Sequence, residues 1–528
     1  MCKYSSSACS TKNNINALGG VFRYIGVGDS DDVQLFYYFV KSESNPKSDP
    51  LILWLTGGPG CSALSGLLFE IGSITFEPVE YGEFKPAEYN RSLPSLVLNP
   101  HTWTKVASLI FLDLPVGTGF SYARTSAARQ SDDLQASDHA YQFLRKWFND
   151  HPEFLRNPFY VAGDSYAGIG VPIISQLIAN GNERGLEPFI DLKGYLLGNP
   201  ATFRGETNYK IPYAHGLGLI SDELFELCIR NCKGEYFDIH PSNTQCWNDR
   251  QTYDQILGGI TIAHILEPKC EFASPRPQKW LDQRRSLDEM LYLGRLRCRF
   301  DWEKISYHWA DDDEVREALH VRRGSIGKWK RCAVDALPFQ KIVESSIPYH
   351  ANLSVRGYRS LIYSGDHDTM IPYTSTQAWI RSLNYSIVDD WRPWIVDSQV
   401  AGKDALVQLK GTFSATVASL RWDCAGPAPE VRPQVKFCSF HPRHGWVYLG
   451  KVEIVVAGLD LDSEVFGQVE FGWKGSGLVM VFGFQALLVG LGEVEDSLVY
   501  LVLGFGSKDW FDLWQLVYIA FGARSREY

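Results

Sequence analysis

Unbroken apolar runs mark the first strands of this chain. Val33–Val40 (VQLFYYFV) and Leu51–Thr56 (LILWLT) are rich in β-branched, aromatic and leucine residues and are bounded by Gly, Pro, Ser and Asp. That pattern predicts strands buried on both faces. A third run, Ala107–Leu112, leads into DLPVGTGFS, and a fourth, Phe159–Ala162, leads straight into GDSYAG. Between them the apolar positions of Ser131–Phe148 recur at helical spacing, and the stretch closes at His151-Pro152, where proline cannot continue a helix. Strand, helix, strand is the rhythm of a parallel sheet.

From Thr202 to Arg331 the rhythm breaks into short polar segments carrying Cys228, Cys232, Cys246, Cys270 and Cys298. This predicts an inserted cap over residues 202–331, between a first core part, 19–201, and a second, 332–420. Inside it, residues 274–285 (SPRPQKWLDQRR) are proline-rich and basic, a solvated loop open to proteolytic nicking. The sheet pattern resumes at Arg359–Tyr363 (RSLIY), followed by SGDHDTMIP and a helix over Ser375–Leu383. Beyond residue 421 the composition shifts to Gly, Val, Leu and Phe, and the tail, 421–528, is left without an assignment. Its window 475–492 is apolar apart from Ser476 and Gln485, near the lower length limit for a membrane span, but its glycines argue against a helix. Membrane insertion is not expected.

Composition narrows the class. With 528 residues and 45% hydrophobic content, the chain can bury a large core, and a net charge of −10 argues against a nucleic-acid partner. Eleven cysteines without CxxC pairs or zinc-type Cys/His spacing point to disulfides and to no metal. Sequons at Asn90, Asn352 and Asn384 fit the same secretory compartment. The start, MCKYSSSACSTKNN, has no apolar stretch of signal-peptide length, so either it is incomplete or secretion is lost.

The chemistry centres on Gly163-Asp164-Ser165-Tyr166-Ala167-Gly168, a G-x-S-x-G pattern between a strand and a helical segment. Such a turn presents the serine at a tight, exposed tip. An acyl-transfer nucleophile also needs amide donors aimed at the developing oxyanion. Thr56-Gly57-Gly58-Pro59-Gly60, directly after a buried strand, supplies candidates, with the Tyr166 amide as a second donor.

Taken in order, WLTGGPGCSALSGLLFEIG, DLPVGTGFSYA, GDSYAG, GYLLGNP and LIYSGDHDTMIP closely resemble the plant serine carboxypeptidase-like family (peptidase family S10) over roughly residues 25–400. The resemblance implies an α/β-hydrolase fold, a mostly parallel central sheet flanked by helices, with a disulfide-linked cap and no cofactor. It also implies Ser165 as nucleophile, Gly58 and Tyr166 as oxyanion hole, and Asp368 as the acid that orients the base, with Asp366 a structural loop residue. By the same resemblance the disulfides are Cys61–Cys332, Cys232–Cys246 and Cys270–Cys298, leaving Cys228 spare. Vacuolar or extracellular residence follows from it too.

The family's catalytic histidine lies in a G-H-T-A-P-E-Y-like segment, where this chain reads Cys424-Ala425-Gly426-Pro427-Ala428-Pro429-Glu430. Anchored on Ala-Pro-Glu, the histidine position is Gly426. His441 and His444 follow in HPRHGW, outside any matching motif, and His367 reads as a loop neighbour of Asp368. The chain as written is therefore expected to be nearly inactive.

Carboxypeptidases of the family hold a peptide's terminal carboxylate with an asparagine before GGPG and two glutamates, one directly preceding the nucleophile. Here the matching positions, with Gly57 beside them, are Thr56, Glu70 and Asp164. TGGPG and GDSY are typical of the branch resembling sinapoylglucose-type acyltransferases. These pass an acyl group from a 1-O-acyl-glucose ester to an alcohol, in secondary metabolism. Three readings stay open: acyltransferase, serine-type carboxypeptidase, and an inactive member or faulty gene model.

Overall fold

The computed structural model describes residues 20–76, 93–266, 299–334, 336–396, 399–408 and 415–420, together with five short strands beyond residue 450. The apolar runs become strands: β1 (Val21–Val27), β2 (Val33–Val40), β3 (Leu51–Leu55), β4 (Ser108–Leu112), β5 (Phe159–Asp164), β6 (Leu192–Gly198) and β7 (Arg359–Gly365). Three more follow, β8 (Ser386–Val396), β9 (Gln399–Gln408) and β10 (Ala415–Leu420). They lie in one sheet in the order β1-β2-β4-β3-β5-β6-β7-β10-β9-β8, with Tyr122–Ala123 pairing to β2 as the eleventh strand. Strands β4, β3, β5, β6, β7 and β10 run parallel, while β1, β2 and β9 pair antiparallel.

Burial explains the runs. Every residue of β2, β3 and β4 is buried, because helices cover the faces of a parallel sheet and leave no polar side. Helix α1 (Asp133–Asp150) starts where the Asp132 side chain accepts from the Leu134 and Gln135 amides, an N-cap interaction. It lays Phe143 and Trp147 edge-on against Tyr37 and Phe39 of β2, with ring centroids 5.3 and 5.2 Å apart. Helix α2 (Ala167–Glu183) packs on the sheet through Val171, Ile174 and Ile178, all fully buried.

The register matters most for function. Leu55 of β3 sits opposite Gly163 of β5, Asp164 opposite Gly198 of β6, and Gly198 opposite Tyr363 of β7. Four neighbouring strands thus end side by side, and their following loops, beginning at Thr56, Ser165, Asn199 and Asp366, share one edge of the sheet. In open α/β sheets that carboxyl edge is where ligands bind.

Over the inserted region, α3 (Lys210–Gly216), α4 (Asp222–Cys232) and α5 (Thr244–Leu257) build their own small core from Ile211, Leu224, Cys228, Tyr236, Cys246 and Tyr253. Cys232 and Cys246 are joined, and Cys228 is buried and free. The expected Cys270–Cys298 bridge, the 274–285 loop and Asn90 lie outside the described residues. After α6 (Arg299–Asp311) and α7 (Asp313–Ala318) the chain returns to the sheet through α8 (Ile347–Val355), β7 and α9 (Tyr373–Ser382).

The chain divides into two compact units, residues 1–394 with 398–436 and residues 395–397 with 437–528. In the second, Lys451–Ile454, Gly467–Lys474 and Gly477–Phe482 form an antiparallel sheet, and Leu498–Val502 pairs antiparallel with Leu516–Ala520. The apolar window 475–492 therefore holds a strand, and among the described residues no helix is long and apolar enough to cross a membrane.

Candidate active site

Ser165 stands between β5 and α2 with φ +53°, left-handed backbone that costs a non-glycine residue about 1–2 kcal/mol. Hydrogen bonds hold it there. Its N–H donates to Gly198 O (2.9 Å), and its carbonyl accepts from Gly168 N (3.0 Å) and Ala201 N (2.8 Å). Small residues make room: a Cβ on Gly163 would meet Leu55 O at 2.5 Å, and one on Gly168 would meet Ala201 O at 2.4 Å.

The loop after β3 leans on this turn. A Cβ on Gly57 would fall 2.7 Å from Ser165 Cβ and 2.8 Å from Tyr166 N, so a side chain there displaces the elbow. Gly58 follows at φ +119°. Neither the Gly58 nor the Tyr166 amide has an acceptor among the described residues. Two free N–H groups thus remain at the junction of this loop with Ser165, at the positive end of α2. Ser165 Oγ itself has no hydrogen-bond partner among the described residues.

Beside the nucleophile, Asp164 Oδ1 accepts from Gly57 N at 3.2 Å, and Trp54 Nε1 donates to Glu70 Oε2 at 3.0 Å. Tyr363, raised well above the usual phenol range by burial and then by the charges of Asp164 and Glu70, faces both carboxyl groups. Thr56 Oγ1 is buried without a partner among the described residues. Thr56, Gly57, Glu70 and Asp164 therefore lie together at the nucleophile's end of the sheet.

Asp368 is on the loop after β7. Its Oδ1 accepts from Met370 N (2.6 Å) and Ile371 N (3.3 Å), and its Oδ2 accepts from Asn199 Nδ2 (2.8 Å). Burial raises its carboxyl to about 7 despite those donors and Lys210. Its neighbour Asp366 gives its carbonyl to Tyr213 Oη of α3. His367 turns toward the cap: its carbonyl accepts from Ile265 N at 3.1 Å, and its ring lies 5.6 Å from that of His264. It makes no hydrogen bond to Ser165. Gly426, His441 and His444 lie outside the described residues.

The bridge that the resemblance implied, and contacts that the sequence did not show, hold these loops. Cys61 and Cys332 are joined, Ser62 N donates to Arg331 O at 2.6 Å, and Ala333 N donates to Gly60 O at 2.9 Å. From there the chain straps across the elbow. Leu337 occupies the space a Cβ on Gly60 would need, and Lys341 Nζ lies 4.9 Å from the Tyr166 ring centroid. Asp133 then ties strap to elbow, one carboxyl oxygen accepting from Tyr166 Oη (2.7 Å) and the other from Ile342 N (2.6 Å) and Val343 N (2.9 Å). Replacing Cys61 and Cys332 by serine is expected to lower stability by about 2–5 kcal/mol. Urea unfolding under non-reducing conditions measures this, and an unchanged midpoint would count against the strap's role.

These geometries accompany direct likeness to known proteins. The serine carboxypeptidase family model matches residues 18–417. The chain belongs to the serine carboxypeptidase family. It is 49% identical over 401 residues to serine carboxypeptidase-like 19 of Arabidopsis thaliana, covering 74% of this chain and 84% of that one. It is 50% identical over 392 residues to serine carboxypeptidase-like 1 of the same plant, covering 74% and 82%. Among solved structures, the prohormone-processing carboxypeptidase Kex1(delta)p from Saccharomyces cerevisiae superposes with a TM-score of 0.56 at 21% identity, covering 76% of this chain and 86% of that one. At that identity the match speaks for the α/β-hydrolase fold alone.

Four carboxyl groups, Asp113 fully buried and Asp164, Glu206 and Asp368 partly so, are pushed up mainly by desolvation: Asp113 to about 7, Asp164 to about 6, Glu206 to about 7 and Asp368 to about 7. Unfolded carboxyls titrate near about 4, so the folded chain binds these protons more tightly. Their stabilising contribution is full below about pH 4 and is lost as pH rises through about 6–7. The urea midpoint is expected to be higher at pH 5.5 than at pH 8. The reverse order would contradict the burial assigned to these groups.

Proposed function

We propose that the chain descends from, and is built for, acyl transfer: Ser165 takes the acyl group of a 1-O-acyl-glucose ester and an alcohol accepts it. The observation that carries this reading is the pair Asp164 and Thr56 flanking the nucleophile, where a carboxypeptidase of the family has glutamate and asparagine. Asp164 is one methylene shorter, and its Oδ1 is already engaged by Gly57 N. Both changes weaken the grip on a peptide's terminal carboxylate. Formation of the acyl-enzyme is common to transferase and peptidase, and the acceptor distinguishes them.

In this reading Ser165 attacks, the Gly58 and Tyr166 amides receive the oxyanion, and Asp368 orients a base. Support comes from the two unengaged amides beside Ser165 and from the ordered carboxylate of Asp368. Serine-type carboxypeptidase activity is the second reading, favoured by Glu70, which is retained near Asp164 about Tyr363. An inactive member is the third, favoured by CAGPAPE in place of the histidine segment. The two disulfides and the exposed sequon residues Asn352 and Asn384 support passage through the secretory pathway.

Incubation with a hydroxycinnamoyl glucose ester and an alcohol, in parallel with a blocked dipeptide, tests the reading. The expected products are free glucose and a new ester, with no amino acid released from the dipeptide. Amino-acid release without ester formation would establish the carboxypeptidase reading instead.

A further inference from the structure

Asn199 follows β6 at φ +38°, a conformation that persists only where surrounding contacts enforce it. The contacts are its own. Its N–H donates to Tyr363 O at 2.8 Å, its Oδ1 accepts from Gly365 N at 3.0 Å, and its Nδ2 donates to Asp368 Oδ2 at 2.8 Å and lies 3.2 Å from Ser364 Oγ. The same short stretch grips the nucleophile, because Gly198 O and Ala201 N are the partners of the Ser165 backbone. One four-residue turn therefore touches both the serine elbow and the acid loop.

The split of donors on Asp368 is informative. Oδ1 is filled by the Met370 and Ile371 amides, whereas among the described residues Oδ2 has Asn199 alone. A carboxylate oxygen accepts about two hydrogen bonds, so Oδ2 keeps one direction open for the N–H of a base. We propose that Asn199 is a positioning residue for the reaction, fixing the Asp368 carboxylate relative to Ser165 and aiming the open side of its Oδ2. This rests on the reading of Ser165 and Asp368 given above. Lys210 and Tyr213 of α3, Asp366 and His367 of its own loop, and His264 of the paired cap segment are the other titratable groups around Asp368.

The test uses the full chain with Asn199→Gly and Asn199→Asp, each with and without Asp368→Asn, and urea-unfolding stability measured from pH 4 to 9. The difference made by Asp368→Asn isolates the titration of Asp368. Asn199→Gly keeps the left-handed backbone and removes the donor to Asp368 together with the acceptor for Gly365 N, and the midpoint of that titration is expected to rise by about one pH unit. Asn199→Asp sets a second carboxyl against the first and is expected to raise it further. Being isosteric, it carries the test if the glycine variant does not fold. Equal stability loss at every pH with an unmoved midpoint would overturn the assignment, leaving Asn199 as a turn residue. Because the titration needs no turnover, a displaced midpoint with no acyl group ever found on Ser165 would overturn the functional reading and keep the Asn199–Asp368 clamp.

Discussion

Rebuilding Cys424-Ala425-Gly426-Pro427 as Gly-Gly-His-Thr is expected to raise acyl transfer by about four orders of magnitude or more. Ser165 Oγ has no acceptor for its proton among the described residues, and in the proposed reading the position of the family's histidine is held by Gly426. A neutral serine is a poor nucleophile without a positioned base. What remains, the oxyanion amides and substrate binding, sustains about 10³–10⁴ over water when a triad member is missing. Initial rates of both chains with a hydroxycinnamoyl glucose ester, with Ser165→Ala as the blank, measure the gain. Rates within tenfold of one another, both abolished by Ser165→Ala, would mean that another imidazole, His441 or His444, reaches the serine.

Asp113→Ala is expected to cost at least about 3 kcal/mol of stability, about 1–3 for each buried donor left without an acceptor. Asp113 follows β4 and is fully buried. Its Oδ1 accepts from Ser62 Oγ (2.7 Å) and Ala63 N (2.8 Å), and its Oδ2 accepts from Phe120 N (2.9 Å). It thereby joins the GGPGCS loop, which carries the Gly58 amide, to the DLPVGTGF loop. Gly119 lies so close that a Cβ would fall 2.2 Å from the carboxylate. Asp113→Asn keeps the shape and an acceptor for two of the three donors, so its loss should be smaller. Urea unfolding of both variants measures this, and an alanine variant as stable as the parent would remove Asp113 as the link between the loops.

The parts of this architecture that were legible in the sequence are those whose physics is local. Strands β2 to β5 are buried on both faces, so their residues form continuous apolar runs that announce them. The nucleophile turn is legible because glycine, alanine and serine at fixed spacing are needed where backbone meets backbone. Strand β1, VFRYIGV, escaped because it lies at the sheet edge with exposed Arg23 and half-buried Tyr24 among its buried residues. Asn199, Asp113 and Asp133 escaped for another reason. Each is one polar residue in a loop, and its partners lie 33 to 210 positions away or across a turn only the fold creates. GYLLGNP entered only as one motif of the resemblance, and no local rule says that the amide of its asparagine reaches Asp368. After Pro442, where Gly, Val, Leu and Phe dominate and neither proline nor asparagine occurs, the sequence pattern offered no element boundaries.

The most direct test of the account is the covalent state of Ser165. The chain is mixed with a hydroxycinnamoyl glucose ester without acceptor, quenched in acid, and examined by intact mass and peptide mapping. The account calls for one added acyl group, on the peptide containing Gly163-Asp164-Ser165-Tyr166, accumulating slowly in the chain as written and quickly after the histidine segment is rebuilt, and absent from Ser165→Ala. An acyl group on any other residue, or ester turnover that survives Ser165→Ala, would contradict it.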